Sequence, residues 1–228
     1  EKKINNNITN EKILFVKDVK KTLTEACVNF YKTKPKNIIA VTGTNGKSSV
    51  AEFYFQLLKL QKKPVATIGT LGIKTNKKLK KTNLTSLDII TLHKELFDIK
   101  KSGIDNVILE ASSHGLLQGR LSGINFKTSI FTNLSQDHLD YHKNMNSYLN
   151  AKLILFSKLM KKKTNVIIRN DIKAFNKIRK ISLKRKLNLV PVGKKSDFSF
   201  KIIKNLEKSQ LVEFSFQKKK FTIEVPLI

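Results

Sequence analysis

The sequence predicts an α/β fold: a mostly parallel sheet with helices on both faces, joined near its C-terminal end by a small antiparallel β appendage. Three observations carry that reading. Short apolar, β-branched runs recur along the chain, separated by segments whose apolar residues lie three and four apart. Strands alternating with helices form parallel sheets, because each helical crossover returns the chain to the same sheet direction. From Asp197 onward the rhythm changes to alternating apolar and polar residues with turn-like gaps, the texture of antiparallel strands.

Taken in order, an Asn-rich opening precedes Ile13-Leu14-Phe15-Val16, which reads as a strand. Val19 to Tyr31 carries Leu23, Ala26, Cys27, Phe30 and Tyr31 at helical spacing, and Pro35 stops that helix. Ile38-Ile39-Ala40-Val41 is a short buried strand, and the segment after it spaces Val50, Phe53, Tyr54, Leu57 and Leu58 on one predicted helix face. Val65–Gly69 reads as a second strand, and Ile73–Leu79 as a hairpin turning at Asn76-Lys77. Ser86 reads as the N-cap of a helix bearing Ile89, Leu92, Leu96 and Ile99, closed by Gly103. Strands follow at 107–110 and 128–132, then a helix over 146–160, a strand at 166–168, a helix over 172–180 and a strand at 189–192. Phe198, Phe200 and Ile202, then 211–216 and 221–225, supply the antiparallel strands.

Composition bounds the function. The 228 residues are ample for a core and carry a net charge of +28. Nearly all the excess is lysine, with arginine only at Arg120, Arg169, Arg179 and Arg185. Arginine is the residue of base-edge and bidentate phosphate readout, so the charge reads as a solvated basic surface favouring anionic ligands; no nucleic-acid partner is expected. No apolar run reaches the length of a membrane span and nothing resembles a signal peptide, so a cytoplasmic protein without a membrane partner is expected. The single Cys27 excludes an internal disulfide framework and fits a reducing compartment.

Chemistry starts at Gly43-Thr44-Asn45-Gly46-Lys47-Ser48-Ser49, between the predicted strand and helix. Strand, glycine turn carrying Gly-Lys-Ser, then helix is the plan of a phosphate cradle: backbone N–H groups face the anion, the lysine adds charge, and the Ser48 hydroxyl suits the Mg²⁺ that accompanies ATP. The usual P-loop spaces four residues between its first glycine and Gly-Lys, whereas only Thr44 and Asn45 stand there here.

Four companions follow. Glu110 ends a buried strand, where an acid either holds Mg²⁺ or caps and pairs locally. Ser112, Ser113 and His114, with Gln118, Gly119 and Arg120, suit a polar loop that binds an anionic substrate, or an ordinary surface loop. The stretch 131–142 packs Asp137, His138, Asp140 and His142 together, groups that ligate metals or move protons; one cysteine and no His-Glu-x-x-His argue against zinc. Lys152 shares a helix face with Tyr148 and Phe156, and is either a snorkelling or a functional lysine.

Together these stretches resemble the Mur ligases. The family's short loop Thr-Gly-Thr-x-Gly-Lys-Thr/Ser is matched by Thr42 to Ser48, its substrate loop by Ser112-Ser113-His114 through Arg120. Thr132 to His142, Tyr148 and Ala151-Lys152-x-x-Leu155-Phe156 look like the type that adds the third amino acid of the peptidoglycan stem. The resemblance implies an ATP-dependent amide ligase that joins meso-diaminopimelate or L-lysine to a UDP-N-acetylmuramoyl dipeptide through an acyl phosphate. It implies that Gly43, Thr44, Asn45, Gly46, Lys47, Ser48 and Ser49 bind ATP, with Lys47 on the transferred phosphate. It implies Mg²⁺ on Ser48 and Glu110, a second ion on His138, and a CO₂-derived carbamate on Lys152 as a further ligand. Thr85, Ser86, Ser112, Gln118 and Arg120 would hold the dipeptide substrate; Leu87 stands where the family pair is usually followed by proline.

The resemblance also implies three domains: residues 1–36 as the tail of an N-terminal UDP-binding domain and a lead-in helix, 37–228 as an incomplete central ATP-binding domain, and a C-terminal ligase domain absent. A fragment inactive alone, and a monomer, are the expectations. The rival readings are another Mur-type or folylpolyglutamate-type ligase and, more remotely, a basic nucleic-acid-binding NTPase domain. The Asp-His-Leu-Asp-Tyr-His run and Lys152 argue against the folate enzyme.

Overall fold

A computed structural model describes Ile13 and residues 15–226. The expected strand at 13–16 is not present: Ile13, Phe15 and Val16 lack strand structure, and Leu14 lies outside the described residues. Phe15 is 83% exposed. Among the described residues no neighbouring strand offers these residues a hydrogen-bond ladder, and an apolar run without one has no reason to stay extended.

The first helix, α1 (Val19–Phe30), is N-capped by Asp18, whose carboxylate accepts from the Lys21 amide, and it buries Cys27. The parallel body consists of β1 (Asn37–Thr42), β2 (Val65–Gly69), β5 (Asn106–Glu110), β6 (Thr128–Phe131), β7 (Asn165–Arg169) and β8 (Asn188–Val192). A hairpin, β3 (Gly72–Thr75) and β4 (Leu79–Lys80), closes one edge. At the other edge β9 (Phe198–Asn205), β10 (Ser209–Phe216) and β11 (Lys219–Pro226) run antiparallel. The result is one eleven-stranded sheet in the order β11-β10-β9-β8-β7-β6-β1-β5-β2-β3-β4. The appendage is thus continuous with the core sheet through the pairing of Phe198 with Val192.

Helices lie on both faces, as expected. Period-two alternation divides β1 and β5 between two clusters. Ile38, Ala40, Val107 and Leu109 face a large core with α3 (Ile89–Lys101), α4 (Ser113–Leu117), α6 (Met145–Ile154) and α7 (Phe175–Arg185). Val41 and Ile108 face α2 (Lys47–Leu60) through Ala51. The predicted face of α2 is rotated: Ala51 and Phe55 are buried, while Phe53 is 63% and Leu57 58% exposed. Small Ala51 lets the helix sit close on the sheet, and that contact, not the apolar count, sets the rotation.

Other boundaries shift for local reasons. Asp88, not Ser86, caps α3 by accepting from the Thr91 amide, because the Ser86 hydroxyl is engaged elsewhere. The helix expected from 146 to 160 is α-helical to Ile154 and then widens into a π-turn, Leu155–Leu159, that keeps Leu155 and Phe156 buried. α7 starts at Phe175 and continues to Arg185, closed by Lys186 in the left-handed region. Among the described residues, no helix is long and apolar enough to cross a membrane.

Candidate active site

The order of the sheet locates the site. β1 lies between β5 and β6, so the chain leaves it in one direction for β2 and later returns on its other side at β6. Such a switch opens a crevice at the carboxyl ends of the strands, where α/β sheets bind ligands. Residues after β1, β2, β5 and β6 meet there.

The phosphate loop runs from Gly43 to Gly46. Gly43 has φ 148°, and a Cβ there would lie 1.9 Å from Thr132 Oγ1, so only glycine fits. The loop is clipped to the segment after β6: the Thr44 amide donates to Asn133 O (3.0 Å), the Asn45 amide to Asn133 Oδ1 (2.9 Å), and Thr132 Oγ1 to Asn45 O (2.7 Å). Gly46, at φ 81°, starts α2 with no side-chain cap. The first-turn amides of Lys47, Ser48 and Ser49 are therefore donors available to an anion.

Glu110 is the second pole. Ser48 Oγ donates to its Oε1 (2.9 Å), the Thr70 amide to Oε1 (3.0 Å) and Thr70 Oγ1 to Oε2 (3.0 Å). Thr70 Oγ1 lies 3.1 Å from Thr85 Oγ1. Gly69 makes room for the carboxyl: a Cβ there would fall 2.2 Å from Glu110 Oε1. A hydroxyl and a carboxylate side by side are hard oxygen donors. They fit a Mg²⁺ that draws its remaining ligands from phosphates and water, the usual reason such an ion needs few protein groups. Among the described residues no cluster of three or more His, Cys, Asp or Glu could hold a metal by itself.

The third pole is Lys152. Its side chain is buried, 1% exposed, and its Nζ donates to Gly43 O at 2.7 Å while lying 4.3 Å from the Tyr148 ring centroid. Lys47 Nζ donates to the same carbonyl (3.1 Å) and to Thr44 O (2.7 Å). Two ammonium groups thus converge on one oxygen. Burial, then repulsion from Lys47, lowers the Lys152 amine to about 7, with Asp137 opposing. Burial also lowers Lys47, against the pull of Glu110 and Asp137. Lys152 is not a snorkelling residue.

His138, in the left-handed region at φ 51°, packs edge-on to His114 and Tyr148, with ring centroids 5.0 and 6.1 Å away. Tyr148 Oη donates to Thr44 Oγ1 (3.3 Å), so His138 and Lys152 border the same tyrosine. His138 contacts Asp137 at 3.4 Å and makes no direct hydrogen bond to Glu110 or Ser48 among the described residues. Behind it, buried His142 Nε2 lies 2.9 Å from Ser113 Oγ. Burial, followed by the neighbouring His138 or His114, holds both His114 and His142 below the ordinary histidine range.

The polar stretch after Glu110 is a short helix, not a loop. Ser112 caps α4 by accepting from the Gly115 amide (3.1 Å). Ser86 Oγ donates to Glu110 O and accepts from the Ser112 amide, both at 2.9 Å, and so ties that helix to the strand end. Arg120 donates through Nε to Gln118 Oε1 (2.8 Å) and through Nη1 to Ser86 O (2.8 Å), while Gln118 donates to Tyr141 Oη (3.1 Å). Ser86, Ser112, Gln118 and Arg120 thus form one connected group beside Glu110. Thr70 is the participant that sequence reasoning assigned no role; the one signal it left is its place one residue after a parallel strand.

The profile of the Mur ligase middle domain matches residues 41–228. The UDP-N-acetylmuramoyl-L-alanyl-D-glutamate–2,6-diaminopimelate ligase of Rickettsia montanensis is 38% identical over 226 residues, covering 97% of this chain and 47% of the relative. That of Brucella melitensis is 36% identical over 216 residues, covering 94% and 44%. A solved structure of a ligase of that name superposes with a TM-score of 0.76 at 32% identity, covering 92% of this chain and 42% of the other. An Escherichia coli FolC structure in complex with DHPP and ADP shares the fold, with a TM-score of 0.67 at 15% identity, covering 97% and 55%. The chain spans about half the length of the curated relatives it matches. Extended over nearly the whole chain, this similarity agrees with the short phosphate loop, and the chain belongs to the Mur ligase family.

Proposed function

We propose that this chain is the ATP-binding part of a ligase that joins diaminopimelate to the D-glutamyl residue of UDP-N-acetylmuramoyl-L-alanyl-D-glutamate, in peptidoglycan synthesis in the cytoplasm. The observation that carries it is buried Lys152 on the phosphate-loop carbonyl, beside Lys47 and the Ser48–Glu110 pair. A common P-loop NTPase gives a buried lysine at that place no task. The names of the relatives support the substrate and the amino acid. Residues 37–228 are assigned to the central ATP-binding domain and 1–36 to the end of a preceding UDP-binding domain; the working protein is proposed to be a monomer.

In this reading the first-turn amides of α2 and Lys47 bind the β- and γ-phosphates, with Thr44, Asn45 and Ser49 shaping the loop. Ser48 and Glu110 would hold a Mg²⁺, with His138 at a second position, and the ion would supply charge neutralisation for the phosphates. Thr85, Ser112, Gln118 and Arg120 orient the dipeptide, and Ser86 fixes their helix. The substrate's γ-carboxylate oxygen attacks the γ-phosphorus of ATP and ADP leaves. The amine of the incoming amino acid then attacks the acyl phosphate carbon, and phosphate departs with the C–O bond. Lys47 follows the moving charge, so orientation and electrostatics carry most of the rate.

Lys152 is proposed to react with CO₂. An amine lowered to about 7 is substantially unprotonated at neutral pH and can form the N–C bond, releasing one proton. The product carries a negative charge beside the Lys47 ammonium.

The test takes the full-length protein with ATP and the UDP-linked dipeptide. Phosphate release triggered by diaminopimelate and not by L-lysine is expected; release with lysine alone would correct the amino acid, and none with either would overturn the proposal. Lys152→Ala should abolish turnover, with partial rescue by a short carboxylic acid.

A further inference from the structure

A cavity of about 670 Å³ lies at the opposite end of the sheet from the crevice. It is bounded by Pro64 and Ile104, which precede β2 and β5, by the β3–β4 hairpin and by the second half of α3. β2 and β5 place Gly69 and Glu110 at the crevice with their carboxyl ends, so five residues of strand, about 16 Å, separate the two places. We infer that this cavity binds a small amphipathic anion: an apolar chain or ring carrying one carboxylate or phosphate head. The inference goes beyond the ligase reading and does not depend on it, since no residue of the candidate active site lines the cavity.

The apolar half comes from the floor. Ile73 of the hairpin, Ile99 of α3 and Ile104 line it, and each belongs to the large core; the ring of Pro64 extends the same surface. The volume lies within the range of about 300–1,000 Å³ usual for small-ligand sites, which pair mostly apolar walls with a few placed polar groups. A fully hydrated anion gains nothing from such a floor.

The anionic half follows from the rim, which carries five lysines against two acids. The acids are engaged: Glu95 pairs with Lys80, and Asp98 with Lys94 at 3.5 Å. Lys62, Lys77 and Lys78 make no ion pair among the described residues, so three positive charges face the cavity unbalanced. Two of them stand on a fixed turn. The Lys77 and Lys78 amides donate to Thr75 Oγ1 (3.3 and 3.1 Å), the Thr75 amide donates to Lys78 O (2.8 Å), and Asn76 Oδ1 accepts from the Val65 amide (2.8 Å), which ties the turn to β2. Carbonyls at the end of α3 do not compete for the lysines, because Ile99 O already accepts from Ser102 Oγ (2.7 Å) and the Ile104 amide (3.3 Å). Ammonium groups on flexible stems act as point charges and accept either a carboxylate or a phosphate head.

The experiment is calorimetric titration of the full-length protein with dodecanoate, with MgATP present to occupy the phosphate cradle. One equivalent should bind per chain. Butyrate, which keeps the head, and dodecanol, which keeps the chain, should each bind at least about tenfold more weakly. Lys62→Gln, Lys77→Gln and Lys78→Gln combined should raise the Kd for dodecanoate about tenfold at low salt, the sum of three exposed charge contacts. The same three changes at Lys161, Lys162 and Lys163, which alter net charge equally outside the cavity, should leave it unchanged. All six lysines are exposed, so both variants should fold, which circular dichroism checks. Tighter binding of dodecyl phosphate than of dodecanoate would identify the head as a phosphate, and weaker binding as a carboxylate. Hydrogen exchange should slow in 62–80 and 94–104 on binding and stay unchanged in 198–225, where exposed phenylalanines offer a non-specific alternative. No binding, equal Kd values for the two lysine variants, or protection confined to 198–225 would overturn the inference. A protein that binds dodecanoate in this way and fails to bind ATP would overturn the ligase reading alone.

Discussion

Replacing Lys152 with methionine should stabilise the protein while removing its activity. The side chain is buried and its amine is lowered from 10.5 to about 7. At about 1.4 kcal/mol per pH unit, holding this amine protonated at pH 7 costs the folded state on the order of 5 kcal/mol relative to the unfolded chain. Methionine keeps the length and apolar character but gives up the hydrogen bond to Gly43 O, worth about 1–1.5 kcal/mol. A net gain of about 3 kcal/mol at pH 7 follows. The sign is set by linkage. Between pH 7 and 10.5 the unfolded chain keeps the Lys152 proton and the folded chain does not, so wild-type stability rises with pH across that window. The variant gains nothing there from this position. Lys34 and Lys47, also lowered by burial, are present in both proteins and cancel in the difference. Urea unfolding in bicarbonate-free buffer should show the variant ahead at pH 7 and the gap closing towards pH 10.5. Adding bicarbonate should stabilise the wild type alone. A less stable variant at pH 7, or a gap that does not change with pH, would refute the reasoning.

Three further outcomes are expected. Gly69→Ala places a Cβ 2.2 Å from Glu110 Oε1 and should displace that carboxylate, so Mg²⁺-dependent ATP affinity falls while affinity in EDTA is unchanged; calorimetry with and without the ion separates the two. Gly43→Ala meets both a positive φ and Thr132 Oγ1 at 1.9 Å, so it should cost about 1–3 kcal/mol in strain and abolish ATP binding; a Kd within threefold of wild type would refute this. His93, His114 and His142 are all lowered from 6.5, chiefly by burial, so the unfolded chain binds their protons first and stability should decline as pH falls below about 6.5. A midpoint constant between pH 7 and 5.5 would contradict that assignment.

The parallel strands were legible because each is a β-branched run too short for a helix, as in Val107-Ile108-Leu109. The phosphate loop, Glu110 and Lys152 were legible as residues, and their convergence only through the family resemblance. The rotation of α2 was misread because Phe53 and Leu57 outnumber Ala51 in any apolar count, although the small residue is the one that fits the sheet. The role of Ser86 was misread for a related reason. A serine before an apolar run looks like a helix cap, and nothing local reveals that Glu110 O and the Ser112 amide compete for its hydroxyl. Thr70 contributes two hydrogen bonds to Glu110 from 40 residues away, a partnership that sheet topology creates.

That topology also explains why the two lysines and the loop work as one unit. Gly43 O is an acceptor shared by Lys47 and Lys152, and the Lys47 ammonium lowers the tolerance of Lys152 for charge. An anion bound on the α2 amides would draw Lys47 off the carbonyls of Gly43 and Thr44, leaving Gly43 O to Lys152 alone. The repulsion that now favours neutral Lys152 would then weaken, and its proton affinity would rise. By linkage the reverse holds as well: a Lys152 that has become negatively charged holds Lys47 near it and strengthens the cradle's net positive potential less than an ammonium would. Phosphate affinity and the chemical state of Lys152 are therefore coupled through one carbonyl oxygen. The close approach of that carbonyl to the β6 segment is permitted only because residue 43 has no side chain.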